Sequence, residues 1–146
     1  MKRELIKQLN RELANRSLLY TKLHNYHWNI KGEHFFTLHT KFEELYTEAA
    51  ETIDTIAERI LAIEGEPVAT LREQLNLATV QEASGGEDAQ QMVTIIANDF
   101  DTLNTEADKV IKLAEEAEDA VTADLFTQYK EGLQKHIWML NAFLGK

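Results

Sequence analysis

Apolar residues recur along the chain at intervals of three and four, the spacing of one helical face. Leu5, Leu9, Leu13, Tyr20, Leu23, His27 and Ile30 predict a first helix over about residues 3–30. Lys31 suits its last turn, and Gly32 is the expected stop. Thr37 is the expected cap of a second helix that runs to about Glu64. Its inward stripe is Phe42, Tyr46, Ala49, Ile53, Ile56, Ile60 and Ile63, the seam of a helical bundle. Gly65, Glu66 and Pro67 end it and open a long connection. Within that connection, Val68, Leu71 and Leu75 predict one short amphipathic helix over 68–75. Ser84, Gly85, Gly86 and Glu87 have the form of a capping box. The third long helix they open carries Met92, Ile96, Phe100, Leu103, Ala107, Val110 and Ala114 and ends near Glu118. Thr122 is expected to cap a fourth with Phe126, Tyr129, Leu133, Ile137, Leu140 and Leu144, stopped by Gly145. No stretch alternates with a strand's period, and no short repeat is present. The pattern therefore predicts an all-α, single-domain chain: a four-helix bundle of two hairpins joined by one long crossover.

Composition supports long helices. There is one proline, Pro67, and only six glycines in 146 residues. The absence of cysteine excludes disulfides and thiolate metal ligands and fits a cytoplasmic protein. The N-terminal MKRELIKQLN lacks the apolar run of a signal peptide. A net charge of −10 opposes nucleic-acid binding. The one basic cluster near an end, Lys2, Arg3, Lys7 and Arg11, interleaves with Leu5, Ile6 and Leu9 as the solvated face of a helix.

The chemistry is concentrated on the second helix. His39 and Glu43 are four residues apart and share a face, and Asp54 and Glu58 repeat that spacing. These residues lie about 100° around the helix from its core stripe. His27 closes the first helix and comes beside His39 if the two helices fold back on each other. Eleven residues separate Glu43 from Asp54, roughly 16 Å along a helix, whereas metal ligands lie within about 2.5 Å of their ion. One chain thus offers two half-sites. The pairs 39/58 and 43/54 share one midpoint, at 48.5, flanked by the small residues Ala49 and Ala50. A two-fold axis there brings His39 and Glu43 of one copy against Asp54 and Glu58 of the other and completes two identical sites at once. Imidazole and carboxylate suit iron, with carboxylate favouring the ferric product. The Glu-x-x-His motif of a di-iron centre buried within one bundle is absent. His24, His34 and His136 read as packing or surface groups.

These residues carry a family resemblance. The stretch HNYHWNIKGEHFFTLHTKFEELYTEAAETIDTIAERILAIEG resembles the signature region of the Dps-type miniferritins, DNA-binding proteins from starved cells. The likeness extends over nearly the whole chain to KHIWMLNAFLG. It implies a ferritin-like fold and a homo-dodecameric shell that oxidises Fe(II) with hydrogen peroxide or dioxygen, stores the ferric product and protects DNA. By position, His27, His39 and Glu43 match the iron ligands of one subunit, and Asp54 and Glu58 those of its two-fold mate. Glu43 stands where many relatives carry Asp. Trp28 matches a tryptophan that takes up oxidising equivalents. Asp119 and Asp124 match an acidic three-fold pore, with Gln128 in place of a further acid. Some members bind DNA through a mobile Lys-rich tail; this sequence shows none, so direct DNA contact is not expected. Two other classes remain beside this reading: a purely structural helical oligomer, and a DNA-compacting protein with little iron chemistry.

Overall fold

The computed structural model describes all residues, 1–146. It contains α1 (Lys2–Asn29), α2 (Phe35–Ala62), the short α3 (Leu71–Leu77), α4 (Ala89–Glu116) and α5 (Ala120–Phe143) and no strand. The four long helices pair as hairpins, α1 with α2 and α4 with α5, and α1 packs against both α4 and α3. This is the all-α bundle with a short extra helix in the crossover that the apolar periodicity predicts. No helix is long and apolar enough to cross a membrane.

The core divides into two apolar clusters. One centres on Tyr26, Phe42, Ile96, Phe100 and Leu133, the other on Leu5, Leu9, Ile56, Ile60 and Phe126. A buried polar group from α1 lies in the same bundle. The Gln8 amide donates to Glu12 at 3.1 Å and to Glu106 at 2.6 Å, and Arg16 reaches Glu12 at 3.0 Å. Burial pushes the Glu12 carboxyl up against the opposing pull of Arg16. Further along α1, polar side chains anchor the crossover. Asn10 binds Glu66 and Val68, Asn15 binds Thr79 and Val80, Lys22 binds the Gln81 carbonyl and Asp99, and Tyr26 donates to Glu87. Most of these bonds satisfy groups that partial burial would otherwise leave unpaired.

Helix ends differ from the sequence expectation in four places. Thr37 lies inside α2, whose N-cap is His34, without a side-chain cap. The capping box belongs to Asp88 and Gln91, not to Ser84 and Glu87. The reason is at Gly85 and Gly86, whose φ of +98° and +79° keep the backbone turning past Ser84. Asp119, not Thr122, caps α5, and its carboxylate accepts the Thr122 amide at 3.0 Å. Finally, α3 starts one residue after Thr70 and turns Gln74 and Leu77 inward, which leaves Leu71 and Leu75 exposed. On α1, Tyr20 likewise sits at the surface, at the edge of the inward stripe.

The α2 terminus is a tight turn. Glu64 takes the left-handed conformation, φ +70°, while Gly65 donates back to the Ile60 carbonyl at 2.8 Å. A Cβ at Gly65 would lie 2.9 Å from side-chain carbons of both Ile6 and Ile60. Glycine is required here by close approach rather than by its φ. The α4 terminus repeats the motif, with Glu118 at φ +58° and Asp119 donating to Ala114 at 2.8 Å.

Candidate metal centre at the α1–α2 hairpin

The hairpin brings His27, at the end of α1, against His39, in the first turns of α2. Nδ1 of His27 bonds the His39 carbonyl and Nδ1 of His39 bonds the His27 carbonyl, each at 2.7 Å. A carbonyl oxygen only accepts, so both Nδ1 atoms carry a proton, and in the neutral ring the free lone pair is the one at Nε2. This is the arrangement a metal-binding imidazole needs: one nitrogen fixed by an outer partner, the other free to ligate. The rings stack with centroids 3.7 Å apart and planes 13° from parallel. Phe35 stacks on the far side of His39 at 4.9 Å. His27 is buried, and the Glu43 carboxylate stands 3.9 Å from its Nε2.

The unbroken α2 holds Asp54 and Glu58 on the same helix, well beyond reach of His39 and Glu43. Both are exposed. No three histidine or carboxylate groups of a single chain converge on one point. Glu43, Thr47, Ala50, Asp54, Glu58 and Leu61 form an exposed stripe along α2, small at its middle. The two half-sites therefore flank an uncovered helix face.

A second group of rings adjoins the histidines. Tyr46, one turn beyond Glu43, meets the edge of His27 at 5.3 Å and stacks on His24 at 3.8 Å. Partial burial, the Glu43 carboxylate and Tyr20 raise the Tyr46 pKa. Trp28 is exposed and contacts His24 at 5.1 Å.

The family model for the ferritin-like domain matches residues 6–146. The DNA protection during starvation protein of Brevibacillus brevis is 54% identical over 136 residues, 93% of this chain and 91% of that protein. The crystal structure of a Dps protein from Bacillus brevis superposes with a TM-score of 0.97 at 52% identity, covering 98% of this chain and 96% of that one. The chain belongs to the Dps-type miniferritins. Another solved relative, the Dps protein of Vibrio cholerae O1, is described as a member of a broad superfamily of ferritin-like diiron-carboxylate proteins. It shares 36% identity and a TM-score of 0.94 over 98% of this chain and 90% of its own.

Within this miniferritin, the remaining sequence candidates fall at the α4–α5 junction. Asp119 is committed to structure: besides capping α5 it receives Arg59 Nη2 at 2.9 Å and the Thr122 hydroxyl. Burial opposes its ionisation, but the Thr122 bonds and the Arg59 cation prevail and hold its carboxyl below the usual range. Asp124 is exposed and accepts a hydrogen bond from Gln128 at 2.9 Å. His136 donates Nε2–H to Glu48 at 2.6 Å and so ties α5 to α2. His34 packs on Phe143, and His24 bonds the Tyr20 carbonyl through Nδ1. Sequence reasoning missed the contact of Tyr46 with His27. Its signal was present in the seven-residue step from His39, which places Tyr46 at the edge of the core stripe nearest the histidine.

Proposed function

We propose that this miniferritin oxidises Fe(II) to Fe(III) at sites shared between two-fold-related copies and stores the product inside a dodecameric shell. Iron is substrate and cargo. His27, His39 and Glu43 bind it from one copy, and Asp54 and Glu58 from the other. The observation that carries this reading is the mutual pinning of His27 and His39 through Nδ1, which leaves the Nε2 atoms available beside a carboxylate at the margin of an uncovered helix face. Such an arrangement is built for a ligand that takes lone pairs. A purely structural hairpin would need neither the second histidine nor the free nitrogens. The iron-storing chemistry associated with ferritin-like proteins supports the same reading.

Hydrogen peroxide is the favoured oxidant. Two Fe(II) ions give one electron each, the O–O bond breaks, and two protons complete two waters. Paired transfer releases no hydroxyl radical, so DNA is protected chemically and without contact. His27 and His39 orient the ions through Nε2, and the carboxylates stabilise the ferric charge. Trp28 accepts stray oxidising equivalents at the rim of the site. Asp124 lines the route by which cations enter the shell, and Asp119, tied to Arg59 and Thr122, holds the junction beside it.

Native mass spectrometry before and after addition of Fe(II) and peroxide tests the whole reading. A twelve-subunit particle that gains iron mass, with loss of Fe(II), is the expected result. A particle that gains none would leave the structural-oligomer reading in its place, and a gel shift with duplex DNA at moderate salt would favour the DNA-compacting one.

A further inference from the structure

His39 is the less sheltered of the two candidate ligand rings. His27 is 7% exposed, whereas His39 is only half-buried, at the open edge of the hairpin. One face of the His39 ring lies on His27, with centroids 3.7 Å apart. The other face is covered by Phe35, one turn earlier on α2, at 4.9 Å and 19° from parallel. Three rings therefore stack in the order Phe35, His39, His27. Phe35 is itself anchored: it packs against the larger core cluster and meets Phe36 edge-on at 5.3 Å. The first turn of α2 has no side-chain cap, and the packing of Phe35 and Leu38 holds it in place.

We propose that Phe35 is a positioning residue for iron, a clamp that keeps the His39 ring in the plane its Nε2 needs to ligate. The inference rests on the proposed ferroxidase reading. A metal binds in the plane of an imidazole, along the Nε2 lone pair, so stacking fixes the plane and leaves the ligating edge open. The Nδ1 hydrogen bond alone does not do this, because the ring can rock about it. Metal binding also draws positive charge into both imidazoles, which face each other at 3.7 Å. The resulting repulsion acts on His39, since His27 is enclosed. Phe35 opposes it in two ways. Its bulk blocks the outward swing, and its π face attracts a ring that has gained cationic character. An aliphatic side chain of the same size supplies only the first. Phe35 touches neither iron nor oxidant and acts through His39 alone.

Co(II) titration of the iron-free assembled protein, read by its visible absorption, tests this beside steady-state Fe(II) oxidation. The part of the Co(II) signal that His39→Ala lacks belongs to the site. Phe35→Leu and Phe35→Met keep apolar bulk without a ring, and Phe35→Tyr keeps the ring. The ringless variants should weaken Co(II) binding and raise KM for Fe(II), each by roughly threefold to tenfold, the contribution of one aromatic stack. Their kcat should hold, because the loss is one of binding, and the shape of the Co(II) band should change. Phe35→Tyr should restore the affinity, the KM and the band. Thermal melts of the metal-free proteins separate this from plain packing. Ringless variants that melt lower yet keep the wild-type KM and Co(II) band overturn the clamp, as does a Phe35→Tyr that behaves like Phe35→Leu. In both cases wild-type oxidation of Fe(II) leaves the ferroxidase reading standing. A wild type that neither binds Co(II) at the hairpin nor oxidises Fe(II) overturns that reading and the clamp together.

Discussion

His27 and His39 hold one another through their backbones: each ring donates to the other residue's carbonyl, at 2.7 Å in both directions. The pair is thus a hairpin lock as well as the proposed ligand set. Removing one ring strands one carbonyl and halves the stack. His39→Ala should cost about 1–3 kcal/mol of apoprotein stability, the range for orphaning a buried hydrogen-bonding group. The double variant His27→Ala with His39→Ala should cost less than the sum of the singles, because the stack is lost once. Urea denaturation of the metal-free protein measures all three, and strict additivity would mean that the rings act independently.

Asp119 and Asp124 should separate cleanly. Asp119→Asn weakens an N-cap and an ion pair, which should lower stability by about 1 kcal/mol. The Asp119 pKa is depressed in the fold. Its contribution is therefore complete above the ordinary Asp value and is lost as pH falls from there through the folded value. The stability gap between wild type and Asp119→Asn should accordingly close on acidification. Asp124→Asn, on an exposed side chain, should leave stability nearly unchanged and slow iron uptake if the acidic entry route is correct. Stopped-flow uptake beside thermal melts at pH 7 and pH 3 distinguishes the two effects.

The two left-handed glutamates offer a test of backbone strain. Glu64 and Glu118 occupy positions where glycine is favoured. Glu118→Gly should raise stability by roughly 1 kcal/mol, as the steric cost of a Cβ at positive φ disappears. Gly65→Ala should do the reverse, by about 1–3 kcal/mol, because the new methyl group meets Ile6 and Ile60. Melting curves of the two variants should move in opposite directions.

The long helices were legible because their apolar spacing is nearly unbroken, and the separation of the candidate ligands was legible because a helix turns number into distance. Capping was not. Ser84/Glu87 and Asp88/Gln91 both place a capping residue three positions before an acceptor, and only the left-handed glycines decide between them. Nor was the burial of Gln8, Glu12 and Arg16 visible, since charged residues on a helix usually mark its wet face. They are buried because they satisfy one another and Glu106, a partner 98 positions from Gln8 along the chain. The exposed α3 leucines misled for a related reason: a seven-residue helix is oriented by the anchors of its flanking segments on α1, Asn10 before it and Asn15 after it, not by its own stripe.

The shared site itself yields the most direct test. Asp54 and Glu58 share the unbroken α2 with His39 and Glu43, so one chain cannot bring the two proposed half-sites together. His39→Ala or Asp54→Ala alone should therefore cripple both sites of a homodimer, since on the proposed reading every site takes ligands from both copies. Mixing the two variants should behave differently. In a mixed dimer, one site carries both lesions and the other carries none: it draws His27, His39 and Glu43 from the Asp54→Ala chain and Asp54 and Glu58 from the His39→Ala chain. With random pairing, half the dimers are mixed and half of their sites are whole, so co-assembled protein should recover up to roughly a quarter of wild-type ferroxidase activity. A site confined to one chain has no such route to rescue. Co-assembly verified by mass spectrometry, with activity no greater than that of either parent, would show that the iron is held in some other way.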